Sequence, residues 1–190
     1  MAGAEPHVHA GFSLRPATPA DAEAIARVHE ASRIAAFRTH LPPEILHIMP
    51  MEERIARWQG WLVAPGAVTL VASRDGRIVG FGTLAPSSDD DTDPRRVCEM
   101  PTLYVHPDHW RQGIGRRLCG AVIELARDHG YETLILWTME TNDAARVFYE
   151  SLGFRADGAK KKDPGAPSSS ILAIRFRLDL DKRPRNAESP

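Results

Sequence analysis

Two glycines and a group of arginines lie where a predicted strand of this sequence gives way to a predicted helix. The segment 105–118 reads VHPDHWRQGIGRRL, and Gly113 and Gly115 carry no side chains that could cover the backbone N–H groups of the first helical turn. Such N–H groups and the positive end of the helix dipole bind phosphate oxygens. Three arginines would add positive charge there: Arg111, Arg116 and Arg117. The segment predicts a phosphate-binding turn, with a glycine-rich turn carrying solvent-exposed arginines as the open alternative.

The spacing of the two glycines excludes two other phosphate-binding motifs. A Walker loop requires Gly-Lys-Ser or Gly-Lys-Thr, and the segment contains neither. The dinucleotide fingerprint GxGxxG requires a third glycine at position 118, where this chain carries Leu118. The turn therefore belongs to a different class of phosphate site.

Composition predicts an ordinary soluble globular protein. The 190 residues are 43% hydrophobic and 26% charged, and the formal net charge of −1 disfavours a general nucleic-acid binder. No apolar run approaches the roughly 18 residues that would span a bilayer, and the N-terminus lacks the apolar core of a secretory signal. We therefore expect a cytoplasmic protein without a nucleic-acid or membrane partner. We expect one domain over 12–180 between a disordered N-terminal tail, 1–11, and a C-terminal tail, 181–190.

Two further features have simple structural interpretations. Cys98 and Cys119 are isolated in the sequence, without CxxC spacing, so they are predicted to be buried small hydrophobic residues. The acidic segment 87–94, SSDDDTDP, predicts a solvated loop whose aspartates contribute only surface charge. No metal site is expected there.

Hydrophobic periodicity and turn signals predict the elements that position the glycine-rich turn. The predicted strands are 12–15, 68–73, 78–84, 96–105 with Pro101 inside it, 133–138, a stretch from Phe154, and 171–180. The predicted helices are 18–37, a second helical region from 41–44 continuing over 51–63, 113–129, and 142–152. The order is that of an α/β fold with a mixed sheet, and it differs from the strict alternation of a doubly wound fold.

Two motifs in this order resemble the GNAT acetyltransferase superfamily. The first resembles the family's coenzyme A-binding motif, [Q/R]xxGx[G/A], at Gly113 and Gly115, with Trp110 where the family usually carries Gln or Arg. The second, NDAARVFYESLGF over 142–154, resembles NxxAxxFYxxxGF. The resemblance covers 12–180, which is nearly the whole chain.

The resemblance implies a single-domain α/β GNAT fold with a mixed, mostly antiparallel seven-stranded sheet and flanking helices. It implies an N-acetyltransferase that uses acetyl-CoA as cosubstrate, without a metal, by direct acetyl transfer in a ternary complex. It also implies a set of cofactor-binding residues: Leu103, Tyr104, Val105, Arg111, Gln112, Gly113, Ile114, Gly115, Arg116, Asn142, Ala145 and Phe148. For Asn142, a plain helix N-cap is the open alternative.

Acetyl transfer to an amine needs a general base, a donor to the oxyanion and a general acid. The resemblance implies Tyr149 as the acid, with packing in the core beside Phe148 as the alternative. It implies backbone N–H groups of 103–105 as oxyanion donors, left free by a bulge near Pro101.

Glu99 is the predicted general base, acting directly or through water. The alternative is a strand glutamate that faces solvent or pairs with Arg95 or Arg96. His106 and Glu140 are weaker candidates for the same role.

The acceptor surface implied by the resemblance comprises 32–61 and 160–170. Candidate pocket residues, for which core packing is the alternative, are Phe37, Met49, Trp58 and Trp61. Trp137 or Thr138 stands where protein-modifying relatives often carry a glutamate, which disfavours a peptide acceptor. Three hypotheses follow: a small-molecule primary-amine acetyltransferase, a protein or peptide acetyltransferase, and a non-catalytic acyl-CoA-binding module. A homodimer is the expected assembly.

Overall fold

The computed structural model describes residues 7–9, 11–37, 49–162 and 172–180. The strands are β1 (His7–His9), β2 (Phe12–Pro16), β3 (Val68–Arg74), β4 (Arg77–Pro86), β5 (Val97–Val105), β6 (Thr133–Met139), β7 (Arg155–Lys162) and β8 (Leu172–Asp179). The α-helices are α1 (Ala22–Phe37), α2 (Met51–Leu62), α3 (Ile114–Asp128) and α4 (Asp143–Glu150). Two short 3-10 helices lie at Pro19–Asp21 and Pro107–His109.

The chain divides into two compact units, one of residues 1–85 and 100–122 and the other of residues 86–99 and 123–190. In the first unit the strand order is β1-β2-β3-β4-β5, and the pairs from β1 to β4 are antiparallel. In the second unit the order is β5-β6-β8-β7, with a parallel β5–β6 pair and antiparallel β6–β8 and β7–β8 pairs. The predicted α/β class with a mixed, mostly antiparallel sheet is confirmed.

The N-terminal strand is an addition to the seven predicted strands. His7–His9 pair antiparallel with β2, so that Val8 lies opposite Ser13. These three residues therefore do not belong to the predicted disordered tail, because their backbone extends the sheet by one strand. Residues 1–6 and 181–190, the rest of the predicted tails, lie outside the described residues, as does the helical start predicted at 41–44.

The β3–β4 hairpin follows the local sequence closely. Its turn is built on Asp75 and Gly76, whose φ angles of 49° and 74° both lie in the left-handed region. Two consecutive positive φ angles match the right-handed twist of the paired strands, and Asp-Gly adopts them readily. The hairpin predicted from RDGR is confirmed.

Strand β4 contains a β-bulge at Val79. Ser73 of β3 pairs with Ile78 and Ala72 pairs with Gly80, so that Val79 is left between two consecutive pairs. A bulge interrupts the alternation of side chains between the two faces of a sheet. As a result, Val79 and Gly80 both lie toward α3.

The first unit has a hydrophobic cluster on each face of its sheet. On one face, buried side chains of α1 and α2 pack with Val71 and Phe81: Ala22, Ile25, Ala26, Val28 and Trp58. On the other face, Ile114 and Leu118 of α3 pack with Phe12, Ala72 and Val79. A methyl group at Gly80 would lie 3.0 Å from both Leu118 Cδ1 and the Tyr104 carbonyl oxygen. The absence of a side chain at Gly80 therefore sets how closely α3 approaches the sheet.

The second unit is built around β6, whose first four residues are buried as expected for a central strand. Leu134, Ile135 and Leu136 are at most 1% exposed, and Phe154 and Phe176 are equally buried. Cys98 and Cys119 are both free and buried, and burial raises the pKa of each thiol to about 12. The prediction that both cysteines act as small hydrophobic residues is confirmed.

Gly80→Ala should lower the free energy of unfolding by about 1–3 kcal/mol, because the added methyl group forces α3 away from β4. Gly120→Ala is the matched control, since Gly120 lies within α3 and no atom lies within 4 Å of its Cβ position. The control should gain about 0.5–1 kcal/mol from helix propensity. Urea denaturation measures both changes, and equal stability of the two variants would contradict the close approach.

Candidate functional site

Three hydrogen bonds fix the end of β5 and the turn that follows it before α3. The His106 N–H donates to the Val79 carbonyl at 2.8 Å. The Val105 carbonyl accepts from Ser32 Oγ at 2.9 Å and from Trp110 Nε1 at 2.6 Å. Trp110, the one departure from the resembling motif, thus braces the turn through its indole.

The backbone then turns sharply into α3. Arg111 and Gly113 have φ angles of 60° and 81°, both in the left-handed region. For an arginine such a conformation costs on the order of 1 kcal/mol, and this kind of strain clusters at ligand-binding sites. The first helical bond runs from the Arg117 N–H to the Gly113 carbonyl at 3.1 Å. The N–H groups of Ile114 and Gly115 therefore have no carbonyl one turn earlier in the helix.

The start of α3 combines a buried anchor with an exposed rim. Ile114 is 1% exposed and holds the helix against the sheet. The residues predicted to line the rim are exposed: Arg111, Gln112, Gly113 and Arg116. Gln112 is fixed in place because its Nε2 donates to the Asp108 carbonyl at 3.1 Å and its Oε1 accepts from Arg74. This arrangement of N–H groups and positive charge suits phosphate oxygens.

The last residues of β5 alternate between the two faces of the first unit. Leu103 and Val105 pack with the α3 cluster, whereas Tyr104 points toward α1. The Tyr104 ring lies 4.8 Å from that of His29 and 5.6 Å from that of Phe81, measured between centroids. All three predicted cofactor-binding residues of this strand are half-buried.

Glu99 lies in the second unit on the parallel part of β5, opposite Ile135. Burial raises the pKa of its carboxyl, and the Lys161 ammonium opposes that rise. The two arginines considered as its partners pair elsewhere, Arg95 with Asp93 and Arg96 with Glu132. Glu99 is thus a half-buried carboxyl with an increased proton affinity, as a general base near neutral pH requires.

The acidic segment 87–94 contains a structural residue that the sequence did not reveal. The Asp89 carboxylate is 10% exposed and accepts from Trp137 Nε1 at 2.9 Å and from Arg175 Nη1 at 3.1 Å. Lys161 Nζ lies 3.1 Å from Asp89 and 3.9 Å from the centre of the Trp137 ring. The prediction that these aspartates contribute only surface charge is therefore wrong for Asp89.

The positive charge of Arg175, which binds Asp89, is balanced by several carboxylates. Arg175 is 10% exposed at its side chain and also binds Asp91 at 2.7 Å and Asp157 at 2.7 Å. These contacts raise the pKa of Arg175 above its ordinary value. Asp89 and Arg175 are 86 positions apart in the sequence, so no local pattern could have identified the pair.

Helix α4 carries the remaining predicted site residues. The Asn142 side chain accepts from the Ala145 N–H at 3.1 Å, so Asn142 caps the helix. The half-buried Tyr149 ring lies among aromatic rings at 5.2 Å from Phe148 and 5.8 Å from Phe154. These contacts fit a packing role for Tyr149 and leave the acid role as a prediction.

The weaker candidates for the base have other partners. The His106 side chain accepts from the Asp108 N–H at 3.4 Å and thereby caps the 3-10 helix. Glu140 forms an ion pair with Lys160 at 2.7 Å. Their side chains are 35% and 41% exposed, respectively.

The candidate acceptor residues have different environments. Trp58 is 5% exposed and belongs to the core of the first unit, whereas Trp61 is 52% exposed and contacts Trp58 edge-on. Met49 is half-buried. The Phe37 side chain and the segments 38–48 and 163–171 lie outside the described residues.

Two further observations concern metals and membranes. Within residues 7–9, 11–37, 49–162 and 172–180, no three His, Cys, Asp or Glu side chains cluster as metal ligands would. None of the helices in those ranges has the length and apolar character needed to cross a bilayer.

The sequence was compared with families of known proteins. A family described as "Acetyltransferase (GNAT) family" matches residues 32–154, which include the turn before α3 and the whole of α4. This chain belongs to the GNAT family. It is an N-acetyltransferase, and the fold predicted from the two motifs is confirmed.

Relatives of this GNAT protein are known by sequence and by structure. An L-amino acid N-acyltransferase of Escherichia coli is 29% identical over 175 residues, covering 90% of this chain and 96% of that protein. The yncA acetyltransferase of Salmonella typhimurium, solved with acetyl-CoA, matches with a TM-score of 0.68 at 23% identity. The match covers 92% of this chain and 96% of that chain. An E. coli ribosomal-protein-alanine N-acetyltransferase matches with a TM-score of 0.64 at 21% identity. The match covers 92% of this chain and 97% of that chain.

Asp89→Asn should lower the free energy of unfolding by about 1–3 kcal/mol, because Trp137 Nε1 and Arg175 lose a buried charged acceptor. Asp93→Asn is the control, since the Asp93 carboxylate accepts from the exposed Arg95, from its side chain at 2.9 Å and its N–H at 3.0 Å, and such surface pairs contribute little. Denaturation midpoints measure both variants. A midpoint for Asp89→Asn that matches the control would contradict the structural role of Asp89.

Proposed function

We propose that this chain transfers the acetyl group of acetyl-CoA to the primary amine of a small molecule, by direct transfer in a ternary complex. The observation that carries the proposal is the turn before α3. Two left-handed residues lead into a helix that is anchored by the buried Ile114, and its first N–H groups lack intrahelical acceptors and lie in sequence among exposed arginines. The coenzyme's pyrophosphate has the charge and oxygen geometry that this turn suits.

The binding residues divide by the part of the coenzyme that they would hold. Gln112, Gly113, Ile114, Gly115 and Arg116 would bind the pyrophosphate through N–H groups, with Arg111 adding charge. Backbone groups of 103–105 would pair with the pantetheine arm like a neighbouring strand. The resemblance adds Asn142, Ala145 and Phe148 of α4 as further contacts with that arm.

The reaction requires an unprotonated amine. Glu99 would accept a proton from the acceptor ammonium, directly or through water, and the free amine would attack the carbonyl carbon of the thioester. N–H groups of 103–105 would donate to the oxyanion of the tetrahedral intermediate. When the C–S bond breaks, Tyr149 would give its proton to the leaving thiolate, and the phenolate would take up the extra proton of the former amine nitrogen. The products are the N-acetylated amine and free CoA, and Glu99 releases its proton to solvent.

Two observations favour a small-molecule acceptor. The E. coli relative that matches over nearly its whole length is an L-amino acid N-acyltransferase. In addition, Trp137 or Thr138 stands where protein-modifying relatives often carry a glutamate, and the Trp137 indole N–H is bound to Asp89 at 2.9 Å. A protein or peptide acceptor is the second candidate, because the ribosomal-protein-alanine N-acetyltransferase shares the fold. A homodimer remains the assembly that we propose.

Calorimetric titration with acetyl-CoA and with free CoA tests the site, and we expect micromolar binding of both. Gly113→Asp and Gly113→Asn form a matched pair, because both side chains enter open space at the same positive φ. The aspartate should weaken binding about tenfold relative to the asparagine, since only the aspartate repels the phosphates. Equal affinities would show that the phosphates lie elsewhere.

If the wild-type protein bound neither acetyl-CoA nor CoA in a folded sample, the acetyltransferase proposal would fail. Binding of both without acetylation of any amine would favour the non-catalytic module.

Glu99→Gln should lower kcat/KM by roughly 10²- to 10⁴-fold. In the wild-type enzyme, kcat/KM should fall as pH decreases through the pKa of Glu99, because the protonated carboxyl cannot accept a proton. Burial places this decline above the ordinary range of a glutamate. The Gln variant should lose this limb of the pH profile, whereas Glu140→Gln should keep it. The opposite pattern would assign the base to Glu140.

A further inference from the structure

Arg54 of α2 is a buried arginine with an unpaired side-chain N–H group. The residue is 5% exposed, and its Nε is buried with no hydrogen-bond partner. Removing a charge from water without pairing it is strongly unfavourable. If position 54 served only to pack the core, an apolar side chain would make the protein more stable than arginine does.

Most of the charged groups around Arg54 are also positive. On α1, Glu30 opposes this charge and Arg33 adds to it, and on α2 Arg57 adds to it as well. His29 of α1 also faces Arg54, and its Nδ1 is buried without a partner. Burial and the charges of Arg54 and Arg33 lower the pKa of His29 to about 4, so its ring is neutral near pH 7. Three guanidinium groups, those of Arg54, Arg33 and Arg57, thus act on this space with one carboxylate, that of Glu30.

Tyr104 links the charge of Arg54 to residues 103–105, the segment proposed to hold the thioester end of the coenzyme. Its ring packs on His29 at 4.8 Å, and Arg54 lies close enough for an ionised Tyr104 to raise the pKa of Arg54. Tyr104 is also the middle residue of 103–105, whose backbone is proposed to hold the pantetheine arm and the oxyanion. Ser32 of α1 donates to the Val105 carbonyl at 2.9 Å and ties the same helix to this strand. All these residues belong to the first unit.

We propose that Arg54 binds the carboxylate of the acceptor and that the acceptor is a free amino acid. The inference rests on the proposed function, and it names the substrate class of the same site. A planar guanidinium binds a carboxylate through two parallel charge-assisted hydrogen bonds. A buried guanidinium also rejects acceptors that lack the anion, because they would leave its charge unpaired. Arg54 would therefore act as a specificity residue, apart from the proton transfers.

The test compares Arg54→Met with Arg57→Met on the same helix. Arg57 is a matched control because its side chain is 64% exposed and pairs with Glu53 at 2.9 Å. Thiol release is measured with a panel of L-amino acids, their amides and dipeptides that carry them at the N-terminus. Acetyl-CoA affinity and denaturation midpoints are measured for each protein.

The wild-type enzyme should prefer amino acids over their amides, and Arg54→Met should lower kcat/KM for the amino acids roughly 10- to 100-fold. The kcat/KM for the amides should change little, so the preference for amino acids over their amides should be lost. Acetyl-CoA affinity should stay constant, and Arg54→Met should be at least as stable as the wild-type protein. Arg57→Met should keep the full preference.

Three results would overturn the inference while leaving the acetyltransferase proposal intact. The wild-type enzyme could acetylate amides or dipeptides as well as free amino acids. Arg54→Met could reduce all acceptors equally, which would indicate a structural role. The wild-type protein could bind acetyl-CoA and acetylate only amines outside the panel. Failure to bind acetyl-CoA at all would instead overturn the proposed function.

Discussion

The close approach of α3 to β4 controls where the first helical N–H groups point. The bulge at Val79 turns two consecutive β4 residues toward the helix, and Gly80 leaves room for Leu118. Ile114, one turn before Leu118, is then pressed against the sheet and holds the start of the helix. A side chain at position 80 would move the whole helix, because protein interiors are close-packed. The geometry of the phosphate-binding turn thus depends on packing beneath it.

The two arginines that are buried among the described residues, Arg54 and Arg175, have opposite surroundings. Arg175 in the second unit is surrounded by Asp89, Asp91 and Asp157, so its charge is neutralised within the fold. Arg54 in the first unit instead has a buried Nε that lacks a hydrogen-bond partner. Compensated charge specifies one arrangement of the chain, whereas uncompensated charge is a stability cost that ligand binding can relieve. This contrast separates a structural arginine from a candidate binding residue.

The proton affinity of Glu99 is also set by burial and by a neighbouring charge. Burial increases its affinity for a proton, and the ammonium of Lys161 limits the increase. Lys161 is itself positioned by Asp89 and by the face of Trp137. The acidic segment before β5 therefore contributes to the environment of the proposed base, although it contributes no proposed catalytic group.

Local sequence was enough to predict the features that depend on neighbouring residues. The Asp75-Gly76 turn, the amphipathic α3 with its glycines and the Asn142 cap follow from backbone preferences and short-range periodicity. The two motifs were enough to predict the family. Tertiary structure alone revealed the bulge at Val79, the pairing of Asp89 with Arg175 and the burial of Arg54. These depend on strand register and on contacts between distant residues, and no local pattern encodes which distant side chain will face a given position.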